Sequence, residues 1–111
     1  MVAPTESDVL AMELARWHAW WKAQGRNELH HLLLLWWDPL EVRHVPQAQS
    51  EYNGYSGRLA RLLREGASTT EVAAFLSGVE DHMGLDPNDA LDRLVAEKVL
   101  AWYTEAMSAA A

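Results

Sequence analysis

The sequence predicts an all-α protein, a compact single-domain bundle of four to five helices. Apolar residues recur at helical spacing in several segments, and helix-capping patterns precede those segments. No two segments are convincing as strands that could pair with each other. The length of 111 residues suits one domain, and a composition of 50% apolar and 23% charged residues is typical of folded chains.

The first helix is predicted over residues 6–24. Thr5 and Asp8 have the spacing of a capping box at its start. A single apolar stripe follows at intervals of three and four residues, formed by Leu10, Leu14, Trp17 and Trp21. Gly25 is expected to end this helix, because glycine commonly follows the last helical turn.

The second segment, residues 28–37, has no clear period, so a short buried helix and a buried strand both remain open. Its leucines and the lack of a partner strand favour a helix. Pro39 is expected to end it, because the residue before a proline, Asp38, is pushed out of the α region.

Three further helices are predicted over residues 48–65, 69–83 and 87–107. Ser68 and Glu71 form a capping box before the fourth helix. Asp86 is expected to cap the fifth helix, with Pro87 at its first position.

The charge and composition of the chain indicate which binding partners and which cell compartment are favoured. Residues 1–65 hold eight acidic and seven basic side chains, whereas residues 66–111 hold eight acidic and two basic, so the second part carries most of the net charge of −7. An acidic surface repels nucleic acid and acidic lipid and attracts a basic protein. The sequence contains no cysteine and no long apolar run, so we expect a cytoplasmic protein that binds no membrane.

The six tryptophans are expected to lie mostly in the core. Trp20 and one member of the Trp36–Trp37 pair are also candidates for a partner or dimer surface, because adjacent side chains on a helix point in different directions.

Catalytic and metal sites find no support in the sequence. The five histidines lack zinc-site spacing, and residues 86–97 lack the glycine and oxygen ligands of a calcium loop. No nucleophile motif or glycine-rich phosphate loop is present. We therefore expect no catalytic residue, no metal and no cofactor.

One region gathers polar and aromatic side chains around an irregular connection. The segments W-D-P-L-E-V and E-Y-N-G-Y flank it, and they make it the candidate binding site, with a purely structural turn as the alternative. The candidate binding residues are Trp37, Asp38, Glu51, Tyr52 and Tyr55.

These motifs resemble those of a group of small uncharacterised bacterial helical proteins with the patterns W-D-P-[IL]-x-V and E-Y-D-x-Y. The resemblance covers residues 29–85 and also includes the helix start at 66–72 and the M-G-L at 83–85. Asn53 stands where the group has an aspartate. The resemblance implies a compact helical fold and brings no activity or catalytic residue with it.

The leading hypothesis is a non-enzymatic protein-interaction module, in one version an immunity-type protein that binds a basic partner through Asp86, Asp89 and Asp92. The alternatives are a self-associating structural protein, as a homodimer for example, and a ligand-binding or enzyme domain with its site at the Trp37–Tyr55 junction.

Overall fold

The computed structural model describes residues 2–110, except for the side chains of residues 49–51 and 110. Within this range the fold is all-α and contains no strand, as the sequence predicts. The elements are α1 (Glu6–Trp20), a π-helical turn (Trp21–Gly25), α2 (Arg26–Trp36), a 3₁₀ helix (Pro46–Tyr52), α3 (Asn53–Arg64), α4 (Thr69–His82) and α5 (Asp89–Ala110).

The first two predicted helices are one continuous helix over residues 6–36, with a π-helical turn in the middle. The expectation that Gly25 ends a helix is therefore wrong, because its backbone stays helical at φ −58° and ψ −44°. Gly25 instead makes room for the indole of Trp20, since a Cβ atom there would lie 2.6 Å from that ring. The helical interpretation of residues 28–37 is confirmed.

Capping explains where the other helices begin. Both predicted capping boxes are present, at Thr5 for α1 and at Ser68 for α4. The expected cap of α5 is wrong: Asn88, not Asp86, accepts a hydrogen bond from the amide of Leu91 at 3.1 Å. The helix accordingly begins two residues later than predicted, at Asp89.

Proline ends α2 as expected, since Asp38 leaves the α region with φ 32°. The predicted third helix, 48–65, is divided between the 3₁₀ helix and α3. The 3₁₀ helix thus forms the end of the connection that leads from α2 to α3.

The core lies between α2, α3, α4 and α5. Its fully buried apolar side chains include Leu29, Leu33, Leu59, Leu76 and Val95. The predicted stripe of the first helix reaches this core only in part. Trp17 and Trp21 pack against the core, whereas Leu10 and Leu14 are exposed.

Candidate functional site

In the Trp37–Tyr55 junction, the chain encloses the carboxylate of Asp38. Its Oδ1 accepts hydrogen bonds from the amide of Val42 and the hydroxyl of Tyr52, both at 2.9 Å. Its Oδ2 accepts from the amide of Arg43 at 3.0 Å and from the side chain of Arg43 at 3.3 Å. Burial alone would raise the pKa of Asp38, but these hydrogen bonds outweigh it and hold the pKa below its ordinary value.

Tyr52 is fully buried and completes the same arrangement. Its hydroxyl donates to Asp38 and accepts from the amide of Leu40 at 2.9 Å. Burial raises the pKa of Tyr52 well above its ordinary value, so the hydroxyl stays protonated and keeps donating. Tyr52 and Asp38 therefore hold the turn of residues 38–43 in place.

The remaining predicted binding residues, Tyr55 and Glu51, do not form an open binding site beside Asp38. Tyr55 is half-buried, with the guanidinium of Arg58 5.2 Å from the centre of its ring. The side chain of Glu51 lies outside the described residues. The structure thus brings Trp37, Asp38 and Tyr52 together, but it fills the space between them, which favours the structural turn.

Trp37 leads to a second buried cluster, which sequence reasoning missed. Its indole N–H lies 2.8 Å from Glu80 Oε1 and 3.2 Å from Asp92 Oδ1, so one donor serves two carboxyl groups. Ser77 donates to Asp92 at 2.8 Å, and the amide of Asn88 donates to Glu80 at 3.0 Å. Every carboxyl oxygen of this pair therefore has a hydrogen-bond partner.

Burial and the hydrogen bond with Glu80 raise the pKa of Asp92 to about 7. Two carboxyl groups this close favour a state in which one of them keeps its proton. The prediction that Asp92 belongs to an acidic surface is wrong, because this side chain is fully buried. Asp86 and Asp89 are exposed, as that prediction requires.

A signal for this burial was present in the sequence. Asp92 lies three, four and seven residues before the apolar positions Val95, Ala96 and Val99, and so on their face of α5. On α4, Glu80 lies four residues after Leu76 and so on the same face as that buried residue.

A surface depression of about 390 Å³ lies beside this cluster, lined in part by Trp37, Glu80 and Asn88. Within the described range, no group of three or more His, Asp or Glu side chains is placed to hold a metal ion. The buried carboxyl oxygens of Glu80 and Asp92 are already bonded within the chain and do not favour a ligand in the depression.

The tryptophans of the first helix form an aromatic cluster with α5. Trp20 is buried against Trp102 and Tyr103, with ring centres 5.8 and 6.0 Å away, so its prediction as a surface residue is wrong. Trp17 donates to the hydroxyl of Tyr103 at 2.8 Å and stacks on Trp21. This cluster ties the middle of the first helix to the body of the protein.

Trp36 and Trp37 point in different directions, as expected of neighbours on a helix. Trp37 is buried, whereas Trp36 is 45% exposed. The ammonium of Lys98 lies 3.9 Å from the centre of the Trp36 ring and covers part of it.

The first helix continues beyond the aromatic cluster as an exposed segment, residues 6–16, here called the arm. All of its residues are exposed, including four large apolar ones: Val9, Leu10, Met12 and Leu14. Arg64, the last residue of α3, lies over the ring of Trp17, the residue that directly follows the arm, at 4.8 Å. The contact with α3 thus lies just after the end of the arm, and the arm itself extends away from the body.

The shape of the molecule agrees with this arrangement. A helix of residues 6–36 is about 46 Å long, and the longest dimension of the molecule is 57 Å against 29 and 23 Å for the others. Where the arm meets the body, a groove of about 780 Å³ runs past Glu13, Trp17 and Met107. The arm and this groove together present exposed apolar side chains that nothing in the described residues covers.

None of the described helices is both long and apolar enough to cross a membrane. Comparisons of the chain with protein-family models, with curated proteins and with solved structures find no match. The fold and the arm together define an all-α protein whose first helix extends beyond the body, and the resemblance to small bacterial helical proteins stays a prediction.

Proposed function

We propose that this protein is a non-enzymatic protein-interaction module that binds its partner through the arm. The observation that carries this proposal is the exposure of four large apolar side chains on one short helical segment. Leu10 is 57% exposed and Met12 is 54% exposed. Leu10 and Leu14 lie one turn apart on the same face of the helix. Neighbouring exposed apolar side chains commonly mark an interaction site.

The energetics of burial support this choice. Fully burying an exposed leucine or methionine side chain contributes about 1.5–3 kcal/mol, and the half-exposed side chains of the arm would gain roughly half of that on binding. The arm is also ordered before it binds, because the aromatic cluster around Trp20 anchors the same continuous helix. A preformed helix loses less conformational entropy on binding than a segment that must fold first.

Site-specific photo-crosslinking in the native cell tests the proposal. A photoreactive phenylalanine analogue replaces Leu10, and the matched control places it at Ala74, an exposed position of α4. We expect a discrete crosslinked protein species from position 10 and none from position 74. Equal labelling from both positions, or no species from position 10, would contradict the proposal.

A second candidate is the immunity-type protein that binds a basic partner through an acidic surface. Its support is the exposure of Asp81, Asp86 and Asp89 around the connection from α4 to α5, together with the net charge of −7. Asp92 has no part in it, because that side chain is buried.

The acidic-surface version is tested by charge reversal. The double substitution Asp86→Lys/Asp89→Lys should weaken binding of a basic partner and reduce its dependence on salt. The control is Glu105→Lys, an exposed acidic position on the last turns of α5. If the double variant and the control bind equally, this version is wrong.

A further inference from the structure

We propose that the arm binds the arm of a second copy of this chain, and that the two helices pair in antiparallel orientation. This inference rests on the proposed interaction function and names its partner. Two properties of the helix support it, the spacing of its apolar stripe and the distribution of its charges.

The apolar stripe has the spacing of a helix–helix seam. Leu10 and Trp17 are seven residues apart, as are Leu14 and Trp21. Positions repeating in this way form the contact line of paired helices. The body of the protein covers the line at Trp17 and Trp21, and leaves Leu10 and Leu14 uncovered. The seam therefore continues out of the body without a partner from the same chain.

The charges along the helix change sign between Glu13 and Arg16. The charged residues before this point are acidic, namely Glu6, Asp8 and Glu13. Those after it, as far as residue 26, are basic, namely Arg16, His18 (when protonated), Lys22 and Arg26. Two such helices in parallel would place like charges side by side. In antiparallel orientation centred near Met12, Glu6 and Asp8 of one copy lie beside His18 and Arg16 of the other.

The helix dipoles favour the same orientation, because antiparallel neighbours place the positive end of one helix beside the negative end of the other. A pairing centred near Met12 sets Leu10 of one copy beside Leu14 of the other, and the two bodies then lie at opposite ends. The contact is the same patch on both copies, so it closes as a dimer and does not extend to a filament.

The first experiment measures mass in solution by sedimentation over a series of concentrations. We expect the 12.5 kDa chain to form a species of twice that mass, and Leu14→Glu to remain monomeric. Leu94→Glu is the matched control, since Leu14 and Leu94 are 43% and 44% exposed, and it should still dimerise. Circular dichroism of both variants confirms that the helices remain.

The second experiment tests the charge argument. In one variant Glu6→Lys and Glu13→Lys leave Asp8 as the single acidic residue of the arm, and in the other Arg16→Glu removes the single basic residue of the arm. Each variant alone should dimerise with a dissociation constant higher by roughly tenfold or more, and an equal mixture should recover dimers. Asp8 is left intact because it belongs to the capping box of α1.

The third experiment determines orientation, and the absence of cysteine from the sequence makes a single label site possible. A spin label at Glu6→Cys should give an intermolecular distance of about 18 Å or more, from twelve residues of helical rise in a pairing centred near Met12. Parallel pairing would bring the two labels side by side, and that result would overturn the proposed orientation.

The outcomes separate this inference from the proposed function. If position 10 crosslinks to this chain itself and Leu14→Glu abolishes the dimer, both stand. If the chain is monomeric and position 10 crosslinks to a different protein, self-pairing is wrong and the interaction function stands. If the chain is monomeric and position 10 crosslinks to nothing, both are wrong.

Discussion

The two halves of the first helix carry similar side chains in opposite surroundings. In α2, Leu29 and Leu33 are fully buried, whereas in the arm of α1, Leu10 and Leu14 are exposed. The helix is continuous between them, so local conformation does not cause the difference. The difference arises because α3 and α5 pack beside one half and not along the arm. An apolar stripe therefore shows which face of a helix favours burial, but not what covers it.

The largest expected effect comes from truncating one leucine in each half. Leu33→Ala should lower the free energy of unfolding by about 2–5 kcal/mol, because it leaves a cavity in the core. Leu10→Ala should change it by less than about 0.5 kcal/mol, because the side chain is exposed. Urea unfolding at a concentration where the chain is monomeric measures both, and similar losses would contradict the comparison.

Trp37, which follows α2, should show the next largest effect. Trp37→Phe removes the N–H that serves Glu80 and Asp92, and a buried group that loses its partner costs about 1–3 kcal/mol. The control is Trp36→Phe, at a half-exposed position whose cation contact a phenylalanine ring can still accept. Equal unfolding midpoints for the two variants would show that the hydrogen bonds of the Trp37 N–H do not stabilise the fold.

Gly25 joins the two halves and gives a prediction of unusual sign. Alanine normally stabilises a helix relative to glycine by up to about 1 kcal/mol. Gly25→Ala should instead destabilise by about 1–3 kcal/mol, because the new Cβ overlaps the ring of Trp20. Gly78→Ala, where nothing lies within 4 Å of the new atom, should be neutral or stabilising. Thermal unfolding of the pair decides whether this contact is as tight as the structure has it.

The last prediction distinguishes the aspartates of the body and the arm by the pH dependence of stability. The pKa of Asp92 is raised to about 7 in the folded protein, so the folded state holds its proton more tightly than the unfolded state. The contribution of Asp92 is therefore present below about pH 4, decreases as the pH rises towards 7 and is then lost.

Asp92→Asn should remove that decrease between pH 4 and 7, as measured by urea midpoints across the range. In the arm, hydrogen bonds from Thr5 lower the pKa of Asp8, so its contribution is lost only as the pH falls below its ordinary value. Asp8→Asn should therefore keep the decrease between pH 4 and 7. If the stability of the wild type does not decrease between pH 4 and 7, the inference that the Glu80–Asp92 pair keeps a proton is wrong.

Local patterns predicted the fold well because their causes are local. Each capping box is satisfied within four residues, at Thr5 for α1 and at Ser68 for α4, and proline ends α2 by a clash with its own neighbour. These interactions do not depend on the rest of the chain. The start of α5 was missed by two residues because Asp86, Asn88 and Asp89 can all cap, and Glu80 of α4 bonds to the amide of Asn88.

The candidate site was predicted only in part. Asp38 and Tyr52 do meet, fourteen residues apart in sequence, but their hydrogen bonds are used within the protein. The partner of Trp37 was missed, because an indole buried against two carboxyl groups requires that α4 and α5 bring Glu80 and Asp92 together. The sequence pattern of a single helix does not reveal such a contact between two helices.

The all-α class, the capped helix starts and the apolar faces can be read from the sequence, because they follow from hydrogen bonding and spacing within a few residues. The continuation of the helix at Gly25, the burial of Asp92 and the exposure of Leu10 depend on the tertiary structure. Each of these depends on which distant element lies alongside. Packing of whole helices, and not the preference of single residues, assigns a side chain to the core or to the surface.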